Sequence, residues 1–228
     1  MIFSNSFIYW YIKRKFRKLN VRPGMYSQYG QDKLVFELLG NKQCGNFVDI
    51  GANDGVTFSN SLFFEEKGWS GICVEPHSTI FKNLEKRRKC KVLNACISDT
   101  NKDVTFYQVE GASHMLSGIK EFMDERHFAR IRREISGNGG AVTEVKIQAI
   151  TPQSLLLNHN ISKVDFLSVD TEGCELSILK FFNFNEIPVA CISVENGSRS
   201  PAIFKHLTSN GFHLYCCIGC DEVYLRDH

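Results

Sequence analysis

The chain has 228 residues, of which 43% are hydrophobic and 23% charged, and its formal net charge is +2. That size and balance fit one globular domain with some decoration. A near-neutral charge excludes any electrostatic argument for nucleic acid as a partner.

The chain opens MIFSNSFIYWYIKRKFRKLN. Its apolar part ends at Ile12, too short to span a bilayer. No small-residue cleavage site follows, so it makes a poor signal peptide. Residues 1–25 therefore read as a basic and aromatic extension ahead of a domain at 26–228. One reading lays it on that domain as a terminal arm. The other is peripheral membrane contact, with Lys13, Arg14, Lys15, Arg17 and Lys18 on anionic lipid. The first is the expectation here.

Leu34, Val35, Leu38 and Leu39 have helical spacing between Gln28 and Leu39. Phe47–Ile50 reads as the first strand, Asn60 to Lys67 as a helix and Gly71–Glu75 as a second buried strand. Ser78 is placed to cap a helix running to about Arg88, and Lys91–Ile97 is the third strand. Strand and helix alternate, which predicts a parallel α/β sheet covered on both faces. Val104–Val109 is a further strand. Residues 110–141 read as an insertion with a charged helix near 120–135, and Thr143–Ile150 as a half-exposed strand. Thr151 and Pro152 open a helix. Val164–Val169, Pro188–Val194 and a closing pair at Phe212–Cys217 and Glu222–Leu225 complete the strands.

The cysteine count is nine, an odd number without framework spacing, and several cysteines sit inside apolar runs. That points to buried thiols in a reducing, cytoplasmic setting rather than a disulfide scaffold. Cys217-x-x-Cys220 has no second pair to complete a zinc site.

In open α/β sheets ligands sit outside the carboxyl ends of the strands. Asp49 precedes the first turn, where Gly51 and Gly55 let the backbone approach a ligand. Glu75 ends the second strand and can accept both hydroxyls of a ribose. Asp99 follows the third strand, where an adenine edge would lie. A dinucleotide pyrophosphate needs the tighter G-x-G-x-x-G. The looser D-x-G-x-x-x-G and an acid beside it suit a cationic sulfonium cofactor instead.

A second cluster is SVDTEGCE at 168–175, with Asp170, Glu172 and Glu175 at a strand-to-helix turn and Glu195 ending the neighbouring strand. Such carboxylates can deprotonate or orient a hydroxyl. They also offer the oxygen ligands that Mg²⁺ or Mn²⁺ prefers, although the cluster does not require a metal. The blander account is that Glu172 and Glu175 favour a helix dipole.

Six segments taken together, SQYGQD (27–32), FVDIGANDGVTFSNS (47–61), EEKGWSGICVEP (65–76), MLSGI (115–119), DFLSVDTEGCELSIL (165–179) and ISVEN (192–196), resemble the FkbM family of S-adenosylmethionine-dependent methyltransferases. The resemblance spans about residues 26–226, in order. It implies a Rossmann-like class I methyltransferase fold, a mostly parallel seven-stranded sheet with an antiparallel last strand. It implies methyl transfer to oxygen, commonly on a sugar or polyketide hydroxyl. Carried onto this chain, Asp49, Gly51, Asn53 and Gly55 would shape the methionine pocket, Glu75 would bind ribose, and Ser98 and Asp99 would lie by adenine. Asp170 and Glu172 would lie at the methyl-transfer site. Family members often have Thr where Ser61 stands.

A sugar hydroxyl is a weak acid, so its methylation calls for a base. Asp170 is the expected base or orienting group, supported by Glu172 and Glu195. His114 and His127, both in the insertion, are alternative bases with a better intrinsic pKa. Ser113, Ser117 and Arg126 are candidate sugar contacts. The rival readings are an oxidoreductase, which lacks its glycine motif, and a silent cofactor-binding module, which would have lost the acidic cluster. An amino methyltransferase would usually carry N/D-P-P-Y/F where this chain has DTEG.

Overall fold

The computed structural model describes residues 24–227. The N-terminal run and its two readings therefore lie outside the described residues. Among the described residues no helix is long and apolar enough to cross a membrane, and none of the cysteines forms a disulfide.

Seven strands make the main sheet. They are β1 (Asn46–Ile50), β2 (Ser70–Val74), β3 (Lys91–Leu93), β8 (Val164–Val169), β9 (Val189–Glu195), β10 (Phe212–Ile218) and β11 (Asp221–Arg226), in the order β10-β11-β9-β8-β1-β2-β3. The pairs β3-β2, β2-β1, β1-β8 and β8-β9 are parallel. The last strand, β11, runs antiparallel to both neighbours. This is the seven-stranded fold expected from the sequence.

Strand side chains alternate between faces. Val48, Ile50, Ile72, Val74, Leu167 and Val169 pack on one side under α5 (Pro152–Asn158), α6 (Glu175–Phe181) and α7 (Pro201–Ser209). Phe47, Cys73, Phe166 and Cys191 pack on the other with α1 (Gln31–Leu38), α2 (Leu62–Glu66) and α3 (Ser78–Arg87). Burial on both faces explains why these strands read as short apolar runs.

The expected third strand is two. After β3 the chain leaves the main sheet, and β4 (Cys96–Ile97) pairs with β7 (Ala141–Ile150). A second, four-stranded sheet results, in the order β4-β7-β5-β6, with β5 (Asp103–Glu110) and β6 (Gly118–Ile119). Between β5 and β7 lie two 3₁₀ turns, His114–Leu116 and Lys120–Phe122, and α4 (Glu125–Asn138), which starts later than the sequence suggests. Asp124 caps α4 by accepting from the His127 N–H. Ser78 is not a cap. Its backbone N–H and hydroxyl both donate to Gln108 Oε1 of β5, which ties α3 to the second sheet.

Candidate active site

Both sheets open onto one cavity of about 990 Å³, open mouth included. The main sheet supplies the wall 49–60 and 74–77 and the turn after β8. The second sheet supplies Ala95, Cys96, Ile97 and Phe106 and the turn from His114 to Ile119. Among the described residues four carboxylates line it, Asp49, Glu75, Asp170 and Glu172, and no lysine or arginine does. In their ionised forms these carboxylates repel a pyrophosphate and attract a cation.

The glycine loop has a different cause from the one its spacing suggests. At Gly51, φ is 84° and an added Cβ would overlap the backbone carbonyl oxygen of Asp170. At Gly55, φ is 80° and a Cβ would strike Leu84 and Arg88. Both glycines admit close approach of protein to protein. Gly51 stays in the cavity wall, whereas Gly55 lies behind it. Arg88 braces the loop from beneath. Its guanidinium donates to Gly55 O at 3.2 Å, Ser59 Oγ at 3.3 Å and Ser61 Oγ at 3.1 Å, and pairs with Glu65 at 2.9 Å.

Glu75 is buried and already half engaged. Its two oxygens accept the backbone N–H groups of Asn53 at 2.9 Å and His77 at 2.8 Å. A carboxylate has about four lone-pair positions, so two remain for ligand hydroxyls. Burial pushes its pKa up to about 7 despite those N–H groups. Asp49 is buried beneath the loop and accepts the Ser61 hydroxyl. Burial raises its pKa too, opposed by Ser61, Arg88 and Ser168.

Asp170 follows β8 at the other end of the cavity. It keeps a face open to the cavity, yet the surrounding chain encloses it. That burial holds its carboxyl well above the usual range, and the charges of Glu195, Asp221, Glu172 and Glu175 add to the effect. Glu172 is in the left-handed region at φ 55° and pairs with Arg130 of α4 at 3.3 Å. Asn53 and Phe58, also in the wall, have φ of 50° and 55°. Three non-glycine residues in this region around one cavity mark it as a functional site. Glu175 does not face the cavity. Its Oε1 accepts the N–H groups of Thr171 at 3.1 Å and Gly173 at 2.7 Å, so it staples the turn.

The second sheet closes over this turn. His114 lines the cavity, with Nε2 3.4 Å from Asn53 Oδ1, and Ser117 stands beside it. Ser117 is fixed to its own turn, donating to His114 O at 2.6 Å and accepting the Val109 N–H. Besides Gly55, six expected site residues lie outside the wall, one of them Ser113, which is buried ahead of its 3₁₀ turn. His127 packs behind it, its Nε2 2.8 Å from Leu116 O, and cannot act as a base in the cavity. Arg126 is exposed on α4, pointing its charge to solvent. Ser98 is buried in its turn and Asp99 is exposed. Their place by β3 is taken by Ala95–Ile97, because the chain has already switched sheets. Glu195 sits behind Asp170 rather than in the cavity. Burial and neighbouring carboxylates raise its pKa to about 7.

Among the described residues no three His, Cys, Asp or Glu side chains assemble a metal site. Asp170, Glu172 and Glu195 thus do not form the ligand set considered for Mg²⁺ or Mn²⁺, and no step is assigned to a metal. Two wall residues escaped the sequence reading. His77 is buried, with Nε2 3.0 Å from Val109 O and Nδ1 without a partner. Asn60 is buried with Oδ1 unpartnered. Asn60 sits inside the segment 47–61 and His77 directly follows 65–76, but their contacts are with Ser168 and Val109, far along the chain.

Residues 49–214 match the family model described as the methyltransferase FkbM domain. No curated protein matches the chain. Among solved structures, the METTL16 MTase domain is similar at 11% identity and TM-score 0.50, over 87% of this chain and 67% of that one. A human methyltransferase 10 domain containing protein aligns over 91% of this chain and 83% of that one, at 13% identity and TM-score 0.39, too loosely to argue from. Identities this low speak to the fold alone. The FkbM match covers most of the chain and falls on the acid-lined cavity, so the chain belongs to the FkbM family of S-adenosylmethionine-dependent methyltransferases.

Proposed function

We propose that the protein is an O-methyltransferase that methylates a hydroxyl of a sugar in a glycan or glycolipid. The observation that carries the reading is Asp170. It is a carboxylate in the cavity wall whose surroundings lift its pKa well above the ordinary range. A base so lifted accepts a proton near neutral pH far better than a solvated aspartate.

The cofactor fits this cavity on charge, because four carboxylates and no lysine or arginine line it among the described residues. When bound, its sulfonium supplies an electrophilic methyl group. Glu75 holds the ribose through its two remaining lone-pair positions. Asp49 underpins the loop without needing to touch the ligand. Asp170 takes the proton from the acceptor hydroxyl oxygen as that oxygen is alkylated, and Glu172, held by Arg130, orients the acceptor. His114 is the second proton acceptor within the wall. At the mouth Phe58 is 55% exposed and Met115 45% exposed, an apolar rim suited to the flat face of a sugar ring. The same rim suits a polyketide hydroxyl, the alternative acceptor class. A reducing, cytoplasmic setting belongs to the same proposal, supported by nine cysteines with no disulfide among the described residues.

The test is a panel of methyl glycosides and hydroxylated polyketides incubated with S-adenosylmethionine, with products located by mass spectrometry and NMR. A methyl group on oxygen is expected. Asp170→Asn should lower turnover by about 10²–10⁴ with cofactor affinity nearly unchanged. Methylation on nitrogen, or an Asp170→Asn enzyme at full rate, would overturn the reading.

A further inference from the structure

We infer that Asn60 binds the amino-acid head of the cofactor, with its side-chain oxygen accepting a hydrogen bond from the α-ammonium. The inference rests on S-adenosylmethionine being the cofactor. It does not depend on the acceptor.

Asn60 stands in the cavity wall on the loop before α2 and is only 7% exposed. Its Nδ2 donates to Ser168 Oγ at 3.2 Å, and its Oδ1 has no partner. Ser168 is fully buried in β8, and its register partner in β1 is Asp49. With the NH₂ side of the amide on Ser168 Oγ, the carbonyl oxygen is left over. A buried acceptor without a donor is a costly arrangement that native proteins rarely keep without a reason.

Topology then decides which donor it meets. The strand order around the site is β2-β1-β8. Glu75 lies after β2, on one side of β1, where it can take ribose hydroxyls. Asn60 is anchored to β8, on the other side of β1. A nucleoside held at Glu75 and extended across the end of β1 brings its amino-acid tail to Asn60. Asp49 and Asp170 belong to the same wall, and no lysine or arginine does among the described residues. A primary ammonium is the ligand group that satisfies both the unpaired oxygen and the surrounding charge.

The experiment titrates the protein with S-adenosylmethionine and with 5′-methylthioadenosine, which has the same nucleoside and no amino-acid head. For Asn60→Leu, S-adenosylmethionine should bind about 10- to 100-fold more weakly, while methylthioadenosine binds as to the wild type. Asn60→Asp keeps an acceptor oxygen in place and should hold or tighten S-adenosylmethionine. Ser168→Ala, which frees the amide to turn, should give a smaller loss confined to S-adenosylmethionine. Thermal melts of each variant show that it folds. Equal weakening of both ligands in Asn60→Leu would overturn the inference, as would no weakening of either. Failure of the wild type to bind S-adenosylmethionine would instead overturn the cofactor assignment, and this inference with it.

Discussion

The two walls of the cavity are built by different physics. The main-sheet wall consists of strand ends whose polar groups are buried and tied by hydrogen bonds to backbone. Glu75 holds two N–H groups, and Arg88 holds the loop through three contacts and pairs with Glu65 of α2. The second-sheet wall consists of Ala95–Ile97, Phe106 and the short turn and strand from His114 to Ile119, tied to the main sheet by the Ser78–Gln108 hydrogen bonds and, through α4, by the Arg130–Glu172 pair. The first wall places groups that must stay put to hold a cofactor. The second is built from short elements. Identical chemical changes should therefore have unequal consequences on the two sides.

The arginines provide the largest contrast. The Arg88 side chain is 0% exposed and its partner Glu65 is 10% exposed. Removing it as Arg88→Met strands a buried carboxylate and should cost about 3–5 kcal/mol in a denaturant titration. Arg130, 50% exposed, pairs with Glu172 across the walls. Arg130→Met should cost no more than about 1 kcal/mol and show itself mainly in acceptor KM. Equal losses would show that the second sheet is as rigidly built as the first.

Glycines come next. Gly51→Ala forces a methyl group into the Asp170 carbonyl at φ 84° and should lower Tm markedly and abolish cofactor binding. Gly137, inside α4, has open space where its Cβ would go. Gly137→Ala should raise stability by about 0.5–1 kcal/mol. A Gly51→Ala protein of unchanged Tm would break the comparison.

The smallest effect is the pH dependence of the carboxylates. The Glu75 pKa rises on folding from an ordinary value to about 7. The folded protein therefore holds a proton that the unfolded chain has lost between about pH 4.5 and 7. This stabilising contribution is full below that window and lost as pH rises through it. Cofactor binding has the opposite slope, because the ribose contact uses the ionised form. Tm of the free protein should fall from pH 5 to 8 while cofactor affinity rises, and Glu75→Gln should flatten both trends. Exposed Glu144 in the second sheet, whose pKa is lowered by Lys120 and Tyr107, gives Glu144→Gln no such effect.

The same contrast explains what could be read in advance. β1, β2, β8 and β9 are buried on both faces, so they appear as apolar runs, and the acids that end them mark the cavity. Asp49, Glu75 and Asp170 were legible for that reason. The second sheet was not, because β4 and β6 have two residues each and acquire their partners only through the long β5–β7 pair. The misplacement of Ser98, Asp99, Arg126 and His127 follows directly from it. Gly51 and Gly55 were found, but spacing cannot tell an approach to a ligand from an approach to Asp170 or Arg88. Asn60 was missed because its meaning lies in Ser168, far along the chain.

An acid-lined cavity, with no lysine or arginine in its wall among the described residues, should hold a cationic sulfonium cofactor. Calorimetric titration of the protein with S-adenosylmethionine and with NAD⁺ tests it most directly. The account expects saturable binding of S-adenosylmethionine, weakened in Glu75→Gln, and none of NAD⁺. Binding of NAD⁺, or no binding of S-adenosylmethionine by the folded protein, would contradict it.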